Sequence, residues 1–191
     1  MRLINLWRAI RFTFVFALLL GIVYPLVVTG IAQGLFPVQA NGSMVTYNGR
    51  VVGSTLIAQA TTSPGLFHPR PSAVGYDADN SGASNLGPTN PVLIATVRAA
   101  LAHVLHNNPG VTAAQVPPGM VESSASGLDP DISPRDAALQ IPRVARATGL
   151  SPAELQKLIA LHESGRLLGI WGEPTVNVLQ LNLAVLRATH S

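Results

Sequence analysis

Oxygen-bearing residues at alternate positions open the stretch Asp77-Ala78-Asp79-Asn80-Ser81-Gly82, the spacing of the first half of an EF-hand calcium loop. Such a loop closes with a bidentate Glu at its twelfth position. That position is Pro88, so the stretch reads as a turn. Val74-Gly75-Tyr76 echoes an ion-filter loop, but a filter needs several copies around one axis at membrane depth, and the match reads as coincidence. His103 and His106 lie three apart with no carboxylate in the same turn, a partly exposed helix face rather than a metal pair. His162-Glu163 lacks the second histidine of a metalloprotease helix, no Gly-x-Ser-x-Gly elbow occurs, and the single lysine, Lys157, belongs to no Gly-Lys-Ser/Thr phosphate loop. Without cysteine there is no thiolate nucleophile, disulfide framework or Cys-ligated zinc. The expectation is a protein with no catalytic residues and no metal site.

The stretch with the most latent binding chemistry is SGASNLGPTNP, residues 81–91, which is small, polar and uncharged. Ser81, Ser84, Asn85 and Asn90 offer side-chain oxygens and amides there. Gly82 and Gly87 are expected to set the backbone by entering positive φ, which glycine does without steric cost. Asn90 can cap, and Pro91 can start, a helix whose first N–H groups could meet an anion. The same oxygens could equally face a cation or a protein, and which they face depends on the side of a membrane they occupy.

The first forty residues address that. From Phe12 to Gly49 there is no Asp, Glu, Lys or Arg, and Phe12 to Phe36 is almost wholly apolar, which exceeds the roughly 20 residues that a bilayer core needs. Arg2, Arg8 and Arg11 all precede this span, and flanking positive charge stays cytoplasmic. The expected organisation is a cytoplasmic N-terminus (1–11), a transmembrane helix (12–36) and an extracytoplasmic domain (37–191). Val38-Gln39-Ala40 has signal-peptidase spacing, but the apolar region outruns the roughly 7 to 15 residues of an export signal, so the span is expected to remain as an anchor in membrane lipid. Of the twelve basic residues three are these arginines, which leaves the exported part formally neutral against nine acidic ones and without a nucleic-acid footprint. Only 11% of residues are charged and 48% are hydrophobic, apolar enough to expect a partner surface.

The exported part reads as an α+β domain. Asn48-Gly49 between two β-prone runs predicts a hairpin over 44–52, with strand residues continuing through Leu56 and Ile57. Residues 59–90 read as one long irregular stretch. Helices are predicted from Pro91 to about Asn107, from Pro134 behind a Ser133 cap, and from Pro152 behind the capping box Ser151-x-x-Glu154. Pro142 is expected to break or kink the second of these. A strand or turn falls near Leu168–Trp171, and Val176–Leu183 reads as the final helix.

FHPRPSA (67–73), SGASNLGPTNP (81–91), SGLDPDISP (126–134), RVARATGL (143–150) and VNVLQLNLA (176–184) together resemble the C-subunit family of the Kdp potassium-transporting P-type ATPase, in motif order over nearly the whole chain. Ala83 stands where the family pattern leads one to expect Gly, and Asp131 where it leads one to expect His. The resemblance implies a non-catalytic subunit of a bacterial inner-membrane potassium-import complex, partnered by a channel-like potassium-translocating subunit, the P-type ATPase subunit and a small single-helix subunit. No cofactor is expected to be firmly bound; potassium is the transported ion. The family is described as a catalytic chaperone that raises the ATP affinity of the ATPase subunit, which would make Ser81, Gly82, Ser84, Asn85, Gly87 and Asn90 a nucleotide-contacting loop. The charge asymmetry places that loop outside, away from ATP. The reading favoured here is therefore a partner contact, with the exported domain guarding or feeding the outer mouth of the potassium pathway.

Overall fold

The computed structural model describes residues 2–189. Met1, at the start of the expected cytoplasmic segment, and His190 and Ser191, at the end of the expected exported domain, lie outside the described residues. The chain forms two compact units, 1–44 and 45–191.

The first unit is helical: α1 (Arg2–Leu18) and α2 (Tyr24–Leu35) are joined by a π-helical turn, Leu19–Val23. Tyr24 N–H reaches back to the Leu19 carbonyl, the wider turn that accompanies an interrupted i→i−4 ladder, here next to Pro25 with its missing donor. From Ile4 to Leu35 this helix is long and apolar enough to cross a membrane. It begins earlier than residue 12, so Arg8 and Arg11 sit on the helix itself. A short turn, α3 (Pro37–Ala40), follows, and Asn41 Nδ2 donates back to Gln33 Oε1 at 3.1 Å.

From the last residue of the first unit onward, β1 (Met44–Tyr47) and β2 (Arg50–Ser54) form the predicted hairpin, with φ of 49° at Asn48 and 75° at Gly49, the two positive values that an Asn-Gly turn supplies. The strand ends at Ser54 and does not continue through Leu56 and Ile57, because the Ser54 hydroxyl turns back to accept the Leu56 N–H at 3.1 Å. No helix or strand interrupts 59–90. Three helices then start where their caps predict. Asn90 Oδ1 accepts from Val92 N–H at the head of α4 (Pro91–Asn107). Ser133 with Asp136 heads α5 (Pro134–Thr148), and Ser151 with Glu154 heads α6 (Pro152–Leu161).

Two expectations need correction. α5 runs unbroken through Pro142. Pro142 is exposed, whereas Ile141, Arg143 and Val144 beside it are buried, so packing of that face outweighs the roughly 3 kcal/mol that an internal proline costs. The phrase VNVLQLNLA is not one helix. Thr175–Asn177 forms β5, the centre of a three-stranded antiparallel sheet between β3 (Asp131–Ile132) and β4 (Glu163–Ser164), and α7 (Val178–Thr189) begins only afterwards. Val176 faces both Ile132 and Glu163 in register and is fully buried; this central pairing overrides the helical reading of the phrase. The core gathers Phe67, Ile141, Val144, Leu155, Ile159, Val176, Leu181 and Val185. The class is α+β, with short strands interleaved among the helices rather than leading them.

Candidate functional site

The loop 81–91 is anchored at its start and free in its middle. Gly82 N–H donates to the Ser126 carbonyl at 2.8 Å, and Ser81 Oγ donates to the same oxygen at 3.1 Å. This contact requires Gly127: its φ is +70°, and a Cβ there would fall 2.8 Å from the Gly82 carbonyl oxygen. Ser81, Ser84, Asn85 and Gly87 are exposed, and Gly82 and Asn90 half-buried. Gly82 and Gly87 do not adopt positive φ, contrary to expectation; Asn85 does, at 52°. Asparagine tolerates that region because its short amide bonds locally, and Asn85 Nδ2 donates to the Ala83 carbonyl at 3.2 Å. A Cβ on Gly87 would meet nothing within 4 Å. At the loop's end Asn90 takes the Val92 N–H, so the cap itself occupies a donor that an anion would need.

The stretch FHPRPSA is held differently. Asn182 of α7 accepts from Phe67 N–H at 2.7 Å and donates to the Phe67 carbonyl at 2.9 Å. Gln140 of α5 does the same for His68, at 2.8 and 3.2 Å. One turn on, the Arg143 guanidinium donates to the carbonyls of Pro64 and Leu66 at 2.7 and 2.9 Å, and to Gln140 Oε1 at 2.6 Å. Burial brings the Arg143 pKa down to about 10. These side chains supply the backbone partners that a neighbouring strand would otherwise give.

Beside this network lies a cavity of about 230 Å³ whose walls include His68, Arg70, Tyr76, Asn108, Asp136 and Arg143. Burial, and then the charge of Arg143, hold the His68 pKa below its ordinary value; burial raises that of Tyr76. Arg70 pairs with Asp129 at 3.1 Å. His103, also on the wall, bonds Asn107 on its own helix. Among the described residues no three His, Asp or Glu side chains cluster as metal ligands would. Asp77 closes a turn, its Oδ1 accepting from Asp79 N–H at 3.1 Å. Asp131 accepts from Asn177 Nδ2 across the β3–β5 pair at 3.1 Å, a role that this strand pairing gives it.

The strand or turn expected near Leu168–Trp171 is a turn, but the exposed surface it makes escaped the sequence reading. Between β4 and β5 the chain turns at Leu167-Leu168-Gly169-Ile170-Trp171, with the N–H groups of Leu167 and Trp171 donating to each other's carbonyls at 2.8 and 3.0 Å. Leu167, Leu168, Ile170 and Trp171 are each at least 67% exposed. The signal was an apolar run without helical or strand periodicity between Gly165 and Gly172.

Among the described residues, one apolar helix long enough to span a membrane is followed by an α+β domain that presents a polar loop and an apolar turn. The family model described as KdpC, K+-transporting ATPase, c chain, matches residues 6–187, and the chain belongs to that family. The chain is 50% identical over 179 residues to the potassium-transporting ATPase KdpC subunit of Caldanaerobacter subterraneus subsp. tengcongensis, covering 94% of this chain and 93% of that one. It is 50% identical over 184 residues to the subunit of the same name from Gemmatimonas aurantiaca (95% and 92% covered), and 54% identical over 173 residues to that of Rhodospirillum rubrum (88% of each).

Proposed function

We propose that the chain is a non-catalytic accessory subunit of an ATP-driven potassium-import complex, needed for its assembly and activity. The observation that carries the reading is the charge asymmetry of a KdpC-family chain: three arginines within its first eleven residues, and then no charged residue from Phe12 to Gly49. The N-terminus is cytoplasmic, the helix crosses the inner membrane, and the domain is extracytoplasmic. There the domain sits at the outer mouth of the potassium pathway, which it guards or feeds, while the helix packs against partner helices. The loop from Ser81 to Asn90 then contacts protein rather than nucleotide, and any effect on ATP affinity crosses the membrane indirectly. A protease-cleavable tag after Ser191 tests this. Cleavage in intact spheroplasts, with an intact mass that retains residues 1–40, is the expected result. A protected tag overturns the orientation, and cleavage after Ala40 overturns the anchor.

A further inference from the structure

The apolar turn between β4 and β5 is built as a preformed projection. Leu167, Leu168, Ile170 and Trp171 expose 70%, 83%, 72% and 67% of their surface, and contiguous exposed apolar side chains of this size mark an interaction site. The turn is rigid. Leu168 and Gly169 take φ of 54° and 75°, Gly169 and Ile170 N–H donate to the carbonyls of Arg166 and Leu167, and Arg166 pairs with Glu173 at 2.8 Å across its base. Binding through it therefore costs little ordering entropy.

Two features of the turn separate a protein partner from a lipid surface. First, Arg166 and Glu173 are the only charges within the turn and its base, and they neutralise each other. No surplus positive charge is left to draw the tip to anionic headgroups, the attraction that adds to apolar burial in membrane-surface elements. Second, the carbonyls of Leu168, Gly169 and Ile170 accept no hydrogen bond from the described residues. Sunk into hydrocarbon, each would cost several kcal/mol, whereas a protein crevice can supply donors. Tryptophan is a residue type enriched at interface hot spots, and Trp171 stands at the closing end of the turn, paired with Leu167 and next to Ile170.

We infer that this turn is a docking plug that seats in an apolar, donor-bearing crevice on another polypeptide of the transporter. The inference rests on the subunit reading above and adds the contact element. It is tested in the full chain co-expressed with the other chains of its transporter, with a photo-reactive amino acid at Leu168 and, separately, with Leu168→Ser, Ile170→Ser and Trp171→Ser combined. These side chains are exposed, so the domain should keep its protease resistance. The expected results are a cross-link to another transporter chain, and a drop of about tenfold or more in partner recovered with the serine variant. Cross-links only to lipid, only to a second copy of this chain, or to nothing in an assembled complex overturn the inference, as does undiminished partner recovery. If the unaltered chain itself recovers no partner, it is the subunit reading that fails.

Discussion

Residues 63–68 and 83–89 belong to one stretch without helix or strand, with similar turn-forming composition, yet they are held in opposite ways. Around Phe67 the backbone is buried, and amide and guanidinium side chains from α5 and α7 meet its polar groups. Around Asn85 the backbone is exposed and is held chiefly by its own side chain and by a turn from Gly87 to Asn90. The difference teaches that composition marks irregular backbone without saying whether it is a structural seam or a free surface. Burial decides which, since a buried main-chain group must find a partner and an exposed one has water.

The sharpest way to break the comparison is at Asn182. Asn182→Leu leaves both the N–H and the carbonyl of Phe67 buried and unpaired, and is expected to cost about 3 kcal/mol, measured by urea unfolding of the detergent-solubilised chain. Asn182→Asp keeps the acceptor for the N–H but sets a buried carboxylate oxygen against the Phe67 carbonyl, so desolvation and repulsion add to the lost donor. A change under about 1 kcal/mol for Asn182→Leu would mean that the seam is not held as described.

Gly127→Ala tests the point where the start of the free loop is fastened. With φ at +70° and a Cβ 2.8 Å from the Gly82 carbonyl oxygen, the substitution strains the backbone and pushes the loop's start away. A loss of about 2 kcal/mol is expected, together with faster protease cutting within 81–90. Asn90→Ala, at the other end, removes only a helix cap, and about 1 kcal/mol is expected.

His68 gives the seam a pH dependence that the loop, which has no titratable side chain, lacks. Its folded pKa lies below the ordinary 6.5 because of burial and then the Arg143 charge. At neutral pH both folded and unfolded states hold it uncharged. As pH falls below 6.5 the unfolded state takes the proton first, so stability declines until the lower folded pKa is passed. The melting temperature should therefore fall between pH 7 and pH 5, and His68→Gln should flatten that slope.

Local signals in the sequence proved legible where the structure obeys local rules. Asn48-Gly49, Asn90-Pro91, Ser133-Pro134 and Ser151-x-x-Glu154 each mark a boundary within a residue, because a turn or cap is decided by residues a few positions apart. What was not legible depends on distant partners. Asn182 and Phe67 lie 115 residues apart, and nothing in either neighbourhood announces the pairing. Thr175–Asn177 is a strand because β3 and β4 flank it, and Pro142 stays helical because buried neighbours on both sides hold the turn. At the loop, the positive φ belongs to Asn85 rather than to either glycine, since its amide can bond the Ala83 carbonyl, a choice that composition alone does not make.

The smallest expected effect on folding is at Gly87, and it separates a docking loop from a connector. Gly87 is exposed, its φ is not positive, and a built Cβ meets nothing within 4 Å. Gly87→Val should therefore change stability by under about 0.5 kcal/mol, as surface substitutions generally do. If the loop packs against a partner subunit, that open space is filled in the complex, and the added isopropyl group should lower co-purification of the partner, or coupled potassium transport, while leaving the melting temperature unchanged. If assembly and melting are both unaltered, residues 83–89 only connect the Ser126 anchor to the cap of α4. A lowered melting temperature in the isolated chain would instead show that the loop is packed within the domain, and the contrast between a held seam and a free surface would be wrong at that point.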